Sequence, residues 1–152
     1  MAELEKNSNK DIRLHDKEFK IFISSSEISI IIENLAKKIN NSKIHNPIFI
    51  VIINGAFLFA ADLLRKIKLP NTEVSFLKLS SYSGIKTTGT VNELIGLSSS
   101  VKNRNIVIVE DIIDTGITLE KIINILNEKE VTSITTATLL FKPEAYQKKN
   151  RY

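Results

Sequence analysis

The chain contains no cysteine, which excludes a disulfide framework and any thiolate metal site. No apolar run approaches the length needed to cross a bilayer. Residues 1–10 are polar and lack the apolar stretch of a secretory signal. They are expected to fray, and the cytoplasm is the expected compartment. Positive charge is not concentrated either. The net charge of +4 is spread along the chain, and no stretch interleaves Lys/Arg clusters with aromatics. Nucleic acid is therefore not an expected partner, and the basic end Lys148-Lys149-Asn150-Arg151 reads as a solvated tail. Repeats and low-complexity blocks are missing, and His15 and His45 are isolated surface candidates. What remains is 152 residues, 43% hydrophobic and 25% charged, enough chain for one domain with a proper core.

Within that chain, strand and helix patterns alternate. Ser24 and Glu27 stand at capping-box spacing, ahead of a helical stripe of Ile28, Ile31, Ile32, Leu35, Ala36 and Ile39 that ends near Asn40. Before it, the alternation of Phe19, Ile21 and Ile23 suits a short strand or irregular cover. Pro47 precedes a buried strand over residues 48–53. Asn54-Gly55-Ala56 then turns the chain into a helix with Phe57, Ala60, Ala61 and Leu64 in phase. Val74, Phe76, Leu77 and Leu79 mark a third strand, and residues 93–97 a short one. A Ser/Thr/Gly-rich stretch over residues 80–90 reads as a functional loop or a plain linker. The last strand spans residues 131–140. Alternation of this kind gives an α/β fold with a doubly wound, mostly parallel sheet.

The chemistry concentrates in Ile106-Val107-Ile108-Val109-Glu110-Asp111-Ile112-Ile113-Asp114-Thr115-Gly116-Ile117-Thr118. A β-branched strand leads to an acid pair, a third carboxylate and a turn of Thr and Gly. A helix follows with Leu119, Ile122, Ile123 and Leu126 in phase. Ligands of open α/β sheets bind at the carboxyl ends of the strands, and a helix start presents free N–H groups to an anion. Gly116 permits close backbone approach, and Thr115 and Thr118 add hydroxyl donors. A phosphate beside three carboxylates would be repelled unless the acids face sugar hydroxyls, a divalent cation or a proton in transit. A phosphorylated sugar bound with magnesium meets all three conditions.

This segment resembles the phosphoribosyl-diphosphate signature of the type I phosphoribosyltransferases, most of all their hypoxanthine (hypoxanthine-guanine) branch. The resemblance covers roughly residues 15–146 and implies one phosphoribosyltransferase domain, residues 1–152. It implies purine salvage: magnesium-dependent transfer of phosphoribosyl from phosphoribosyl diphosphate to hypoxanthine, or to guanine, with release of diphosphate. The product is IMP or GMP. Asp114 becomes the general base for the purine N7 proton. Glu110 and Asp111 take the ribose hydroxyls directly or through Mg2+ and steady an oxocarbenium-like centre. Thr115, Gly116, Ile117 and Thr118 hold the 5′-phosphate, and Ile112 and Ile113 complete the signature's contacts. Asn54, Gly55 and Ala56 form the diphosphate loop, where family members often carry Lys in place of Asn54. Lys78 is a basic contact toward the diphosphate, and Lys142 a donor to the purine 6-oxo group. Ser81 and Tyr82 match a pair that heads a mobile lid. Homo-oligomers, dimer or tetramer, are the expected assembly.

The family continues for about 25–30 residues beyond the position of Tyr152. That stretch carries an aromatic that stacks on the purine and a second magnesium ligand, so the hood over the base reads as incomplete here. A regulatory module that binds phosphoribosyl diphosphate or nucleotide, or an inactive short form, is the alternative. Asp114 argues against a pure sensor. A response-regulator receiver also pairs acids with a strand-end lysine. It would need a phosphoacceptor Asp at another strand's end, and Leu77-Lys78-Leu79-Ser80 supplies none.

Overall fold

A computed structural model describes residues 12–79, 93–95 and 100–148. Strands β1 (Ile12–Leu14) and β2 (Lys17–Phe19) pair antiparallel as a small hairpin. Helix α1 (Ser25–Asn40) opens at the capping box expected from sequence. The Ser24 hydroxyl accepts from the Glu27 N–H, and the Glu27 carboxylate accepts from the Ser24 N–H at 2.8 Å, which satisfies two of the orphan donors of a helix start.

The main sheet is built from β3 (Pro47–Ile52), β4 (Glu73–Leu79), β5 (Glu93–Ile95), β6 (Asn105–Ile113) and β7 (Ser133–Phe141), with α2 (Phe57–Leu64) and α3 (Ile117–Glu128) as crossovers. The strand order is β5-β4-β3-β6-β7. Four strands run parallel and β5 runs antiparallel at the edge. This is the doubly wound, mostly parallel sheet that the alternating pattern predicts.

Period-2 alternation assigns the two faces. Phe49 and Val51 of β3 and Val107 and Val109 of β6 point to one side, where α1 and α2 cover them with Ile32, Ala36, Phe59 and Leu63. Ile48, Ile50, Ile106 and Ile108 point to the other, under Leu119, Ile122, Ile123 and Leu126 of α3. All of β3 is buried, as a central parallel strand must be. No helix among the described residues is long and apolar enough to cross a membrane.

Two buried faces and one strand end differ from the sequence reading. In α2 the buried positions are Phe59, Ala60 and Leu63, with Ala56 just before the helix. The expected stripe began at Phe57, which is exposed. The segment is apolar nearly all round, so periodicity alone leaves its phase open. In β4, Ser75 and Leu77 are buried whereas Val74 and Phe76 are each 40% exposed. Their registered partners, Phe49 and Val51, lie on the α1/α2 face, so the helix layer does not fully cover that face at β4. Finally, β6 runs on through the acid pair to Ile113.

Candidate active site

The length of β6 creates the site. Its ladder with β3 ends at Val109↔Val51, but its ladder with β7 continues to Ile113↔Phe141. Glu110 to Ile113 therefore overhang the end of β3, still held by β7. Beneath the overhang lies a cleft of about 100 Å³ whose lining includes Ile52, Glu110, Ile112, Asp114, Gly116 and Thr118.

Around this edge the four parallel strands deliver their carboxyl ends. After β3, residues 54–56 turn tightly: the Ala56 N–H donates to the Ile52 carbonyl and the Phe57 N–H to that of Asn54. The Ile53–Asn54 peptide is cis. Gly55 lies so close to Asp111 that a Cβ would sit 2.8 Å from Oδ2. Only a residue without a side chain lets this turn rest on the carboxylate. On the other flank of β3, the Ile53 N–H donates to the Leu77 carbonyl, which sets the half-buried Lys78 one residue further along β4. After β7, the Lys142 N–H donates to the Ile113 carbonyl at 2.9 Å, so Lys142 follows the strand edge beside Asp114.

After β6 the chain turns through Asp114, Thr115 and Gly116. The Asp114 carboxylate accepts from the Thr115 N–H, a local side-chain to backbone bond that competes with the strand ladder. Gly116 has φ +79 and caps α3 with no side-chain acceptor. The side-chain contact to a backbone N–H at this helix start is 3.5 Å, from the Ile117 N–H to the Thr115 hydroxyl, and an uncapped start of this kind presents its N–H groups outward. Thr118 and Asp114 are exposed at the mouth of the cleft.

The acids crowd one another. The Glu110 carboxyl is pushed up to about 8, first by burial, then by its hydrogen bond with Asp111 and that group's charge, with Asp114 adding. Burial beside two further carboxyl groups favours the protonated form of Glu110. Among the described residues no cluster of three or more metal-ligating side chains exists. The hard oxygens of Glu110 and Asp111 nevertheless suit magnesium, which takes one or two carboxylates and completes its shell with water and ligand oxygens.

A family model for the phosphoribosyl transferase domain matches residues 23–152. The chain belongs to the phosphoribosyltransferase family. A hypoxanthine phosphoribosyltransferase of Buchnera aphidicola is 42% identical over 130 residues, 82% of this chain and 72% of the relative. A crystal structure of a hypoxanthine phosphoribosyltransferase from Staphylococcus aureus superposes with a TM-score of 0.76 at 28% identity, over 86% of this chain and 72% of that one. A Trypanosoma cruzi hypoxanthine phosphoribosyl transferase gives 0.78 at 28% identity, over 92% and 77%.

In this phosphoribosyltransferase the geometry brings together Asn54, Gly55, Lys78, Glu110 to Gly116, Thr118 and Lys142 at one sheet edge. Ser81, Tyr82 and the rest of the expected lid lie outside the described residues. Two positions escaped the sequence reading. Lys148, read as part of a solvated tail, forms an ion pair with Glu120 in the first turn of α3. Tyr146 packs on Gly116 and edge-on to Phe141. A single aromatic after Lys142-Pro143 carries no periodic signal, so only the fold reveals its contact.

Proposed function

We propose that the chain transfers the phosphoribosyl group of phosphoribosyl diphosphate to a 6-oxopurine, hypoxanthine first and guanine second, in purine salvage. The observation that carries this reading is the overhang of β6, which sets Glu110, Asp114 and an uncapped helix start around one cleft, with Asp111 next to Glu110 and against Gly55. The 5′-phosphate sits on the amides of residues 115–118 and the Thr hydroxyls. The diphosphate lies toward Asn54, Gly55 and Ala56, within reach of Lys78. Lys142 donates to the purine 6-oxo group.

In the reaction the bond from C1′ to the diphosphate oxygen breaks and a bond from C1′ to purine nitrogen forms. Positive charge builds on the ribose between the two, and the carboxylates of Glu110 and Asp111 stabilise it. Asp114 accepts the N7 proton that the purine must lose. Glu110 and Asp111 are the residues that would hold Mg2+, which supplies neutralisation of the diphosphate when bound. A cation held there would favour the ionised form of Glu110 against the burial and neighbouring carboxyl groups that raise its value.

The test is formation of nucleoside monophosphate from phosphoribosyl diphosphate with hypoxanthine, guanine and xanthine in turn. The expected result is turnover that depends on magnesium and is fastest with hypoxanthine. Calorimetric binding of phosphoribosyl diphosphate without turnover on any base would instead support the regulatory reading.

A further inference from the structure

Residues 142–148 fold back over the phosphate turn, and two backbone bonds tie them to it. The Lys142 N–H donates to the Ile113 carbonyl at 2.9 Å, and the Gln147 N–H donates to the Thr115 carbonyl at 3.1 Å. Between these ties the chain makes its own turn, with Ala145 and Tyr146 donating to the carbonyls of Lys142 and Pro143 at 3.2 and 3.3 Å. The Tyr146 ring meets Phe141 edge-on at 5.3 Å and lies against Gly116: a Cβ at Gly116 would collide with Cε2 and sit 3.0 Å from Cδ2. The Lys148 stem presses on the same glycine, and its ammonium pairs with Glu120. None of residues 143–148 lines the cleft.

We propose that residues 142–148 are a strap that sets the shape of the phosphate turn, with Tyr146 as a positioning residue acting through Gly116 and the Lys148–Glu120 pair as its latch. This rests on the reading that the turn holds a phosphate. A glycine visits both signs of φ with little penalty, so a free turn would scatter the amides that must converge on an anion. A ring seated on the Gly116 Cα, with Thr115's carbonyl pinned beside it, removes that freedom before the ligand arrives. Ordering in advance strengthens binding by lowering the entropy lost on association. The strap touches the turn's outer side, so it acts on affinity for the phosphate and leaves the chemistry at C1′ to other residues.

The full chain is compared with Tyr146→Phe, Tyr146→Ala and Lys148→Gln. Three readouts are taken: hydrogen exchange of the residue 115–119 amides without ligand, calorimetry with ribose 5-phosphate, and steady-state turnover. Tyr146→Ala should exchange faster, bind ribose 5-phosphate about 10-fold more weakly and raise KM for phosphoribosyl diphosphate similarly, with kcat within about 2-fold. Tyr146→Phe keeps the ring against Gly116 and should stay closer to wild type in all three readouts than Tyr146→Ala. Lys148→Gln should fall between. Unchanged exchange in both Tyr146→Ala and Lys148→Gln overturns the strap, as does a loss in kcat at constant KM. Should Tyr146→Ala fail to fold, Lys148→Gln decides by the same exchange measurement. Should wild type not bind ribose 5-phosphate, the phosphate reading fails, while exchange in the variants still decides whether the strap holds the turn.

Discussion

At the scale of single residues, the carboxylates differ by their surroundings. Asp114 is exposed at the cleft mouth, where a base must meet both ligand and solvent. Its replacement by Ala should cut turnover by about 10²-fold or more with the fold retained, read as kcat beside an unchanged circular dichroism spectrum. Glu110 is the group that folding keeps protonated, with a value near 8 against 4.5 without the fold. Between those two pH values the native state holds a proton that the unfolded chain has released, so stability falls as pH rises through that window. Glu110→Gln removes the titration. Calorimetric scans without magnesium should show a flatter decline and a higher Tm for the variant at pH 8. A wild-type curve that is flat from pH 4.5 to 8 would contradict the crowding described here.

At the scale of elements, the strands and helices of the α/β layers were legible because their signals agree. In α1 the capping box and the stripe of Ile32, Ala36 and Ile39 point to one helix with one buried face. In α3 Leu119, Ile122, Ile123 and Leu126 do the same. The phase of α2 was not legible, because Phe57-Leu58-Phe59-Ala60-Ala61 offers apolar residues in every direction and the sheet chooses among them. Nor was the end of β6. Acids argue against strand, yet a parallel ladder is made by backbone, and β7 carries β6 four residues past its last pairing with β3. The candidate site residues could be proposed from sequence because acids and glycines stand out by type. Tyr146 and Lys148 were not, since their contacts arise from a chain reversal after β7 that leaves no pattern. The φ of +79 at Gly116 and the ring seated on it give a prediction for this turn. Gly116→Ala should cost about 1–2 kcal/mol from the left-handed backbone alone, with more from the Tyr146 collision. Phosphate affinity should fall with it, measured by denaturant melts and calorimetry on the same variant.

At the scale of the whole molecule, Phe57, Leu58, Val74 and Phe76 are 40% or more exposed on the α1/α2 side of the sheet. Apolar side chains this open, gathered on one side, mark an association surface more readily than a solvated face. If a homo-oligomer is joined there, Leu58→Glu with Phe76→Glu should shift light-scattering mass to that of one chain. Gly55, Lys78, the acids and Lys142 all lie at or just past strand carboxyl ends, where open α/β folds bind their ligands. The most direct measurement of the central claim is a crystal structure of the full chain soaked with IMP. The account predicts the 5′-phosphate within hydrogen-bond distance of the residue 115–118 amides and the ribose hydroxyls turned toward Glu110 and Asp111. A nucleotide seated away from the α3 start, with the acid pair unengaged, would contradict it.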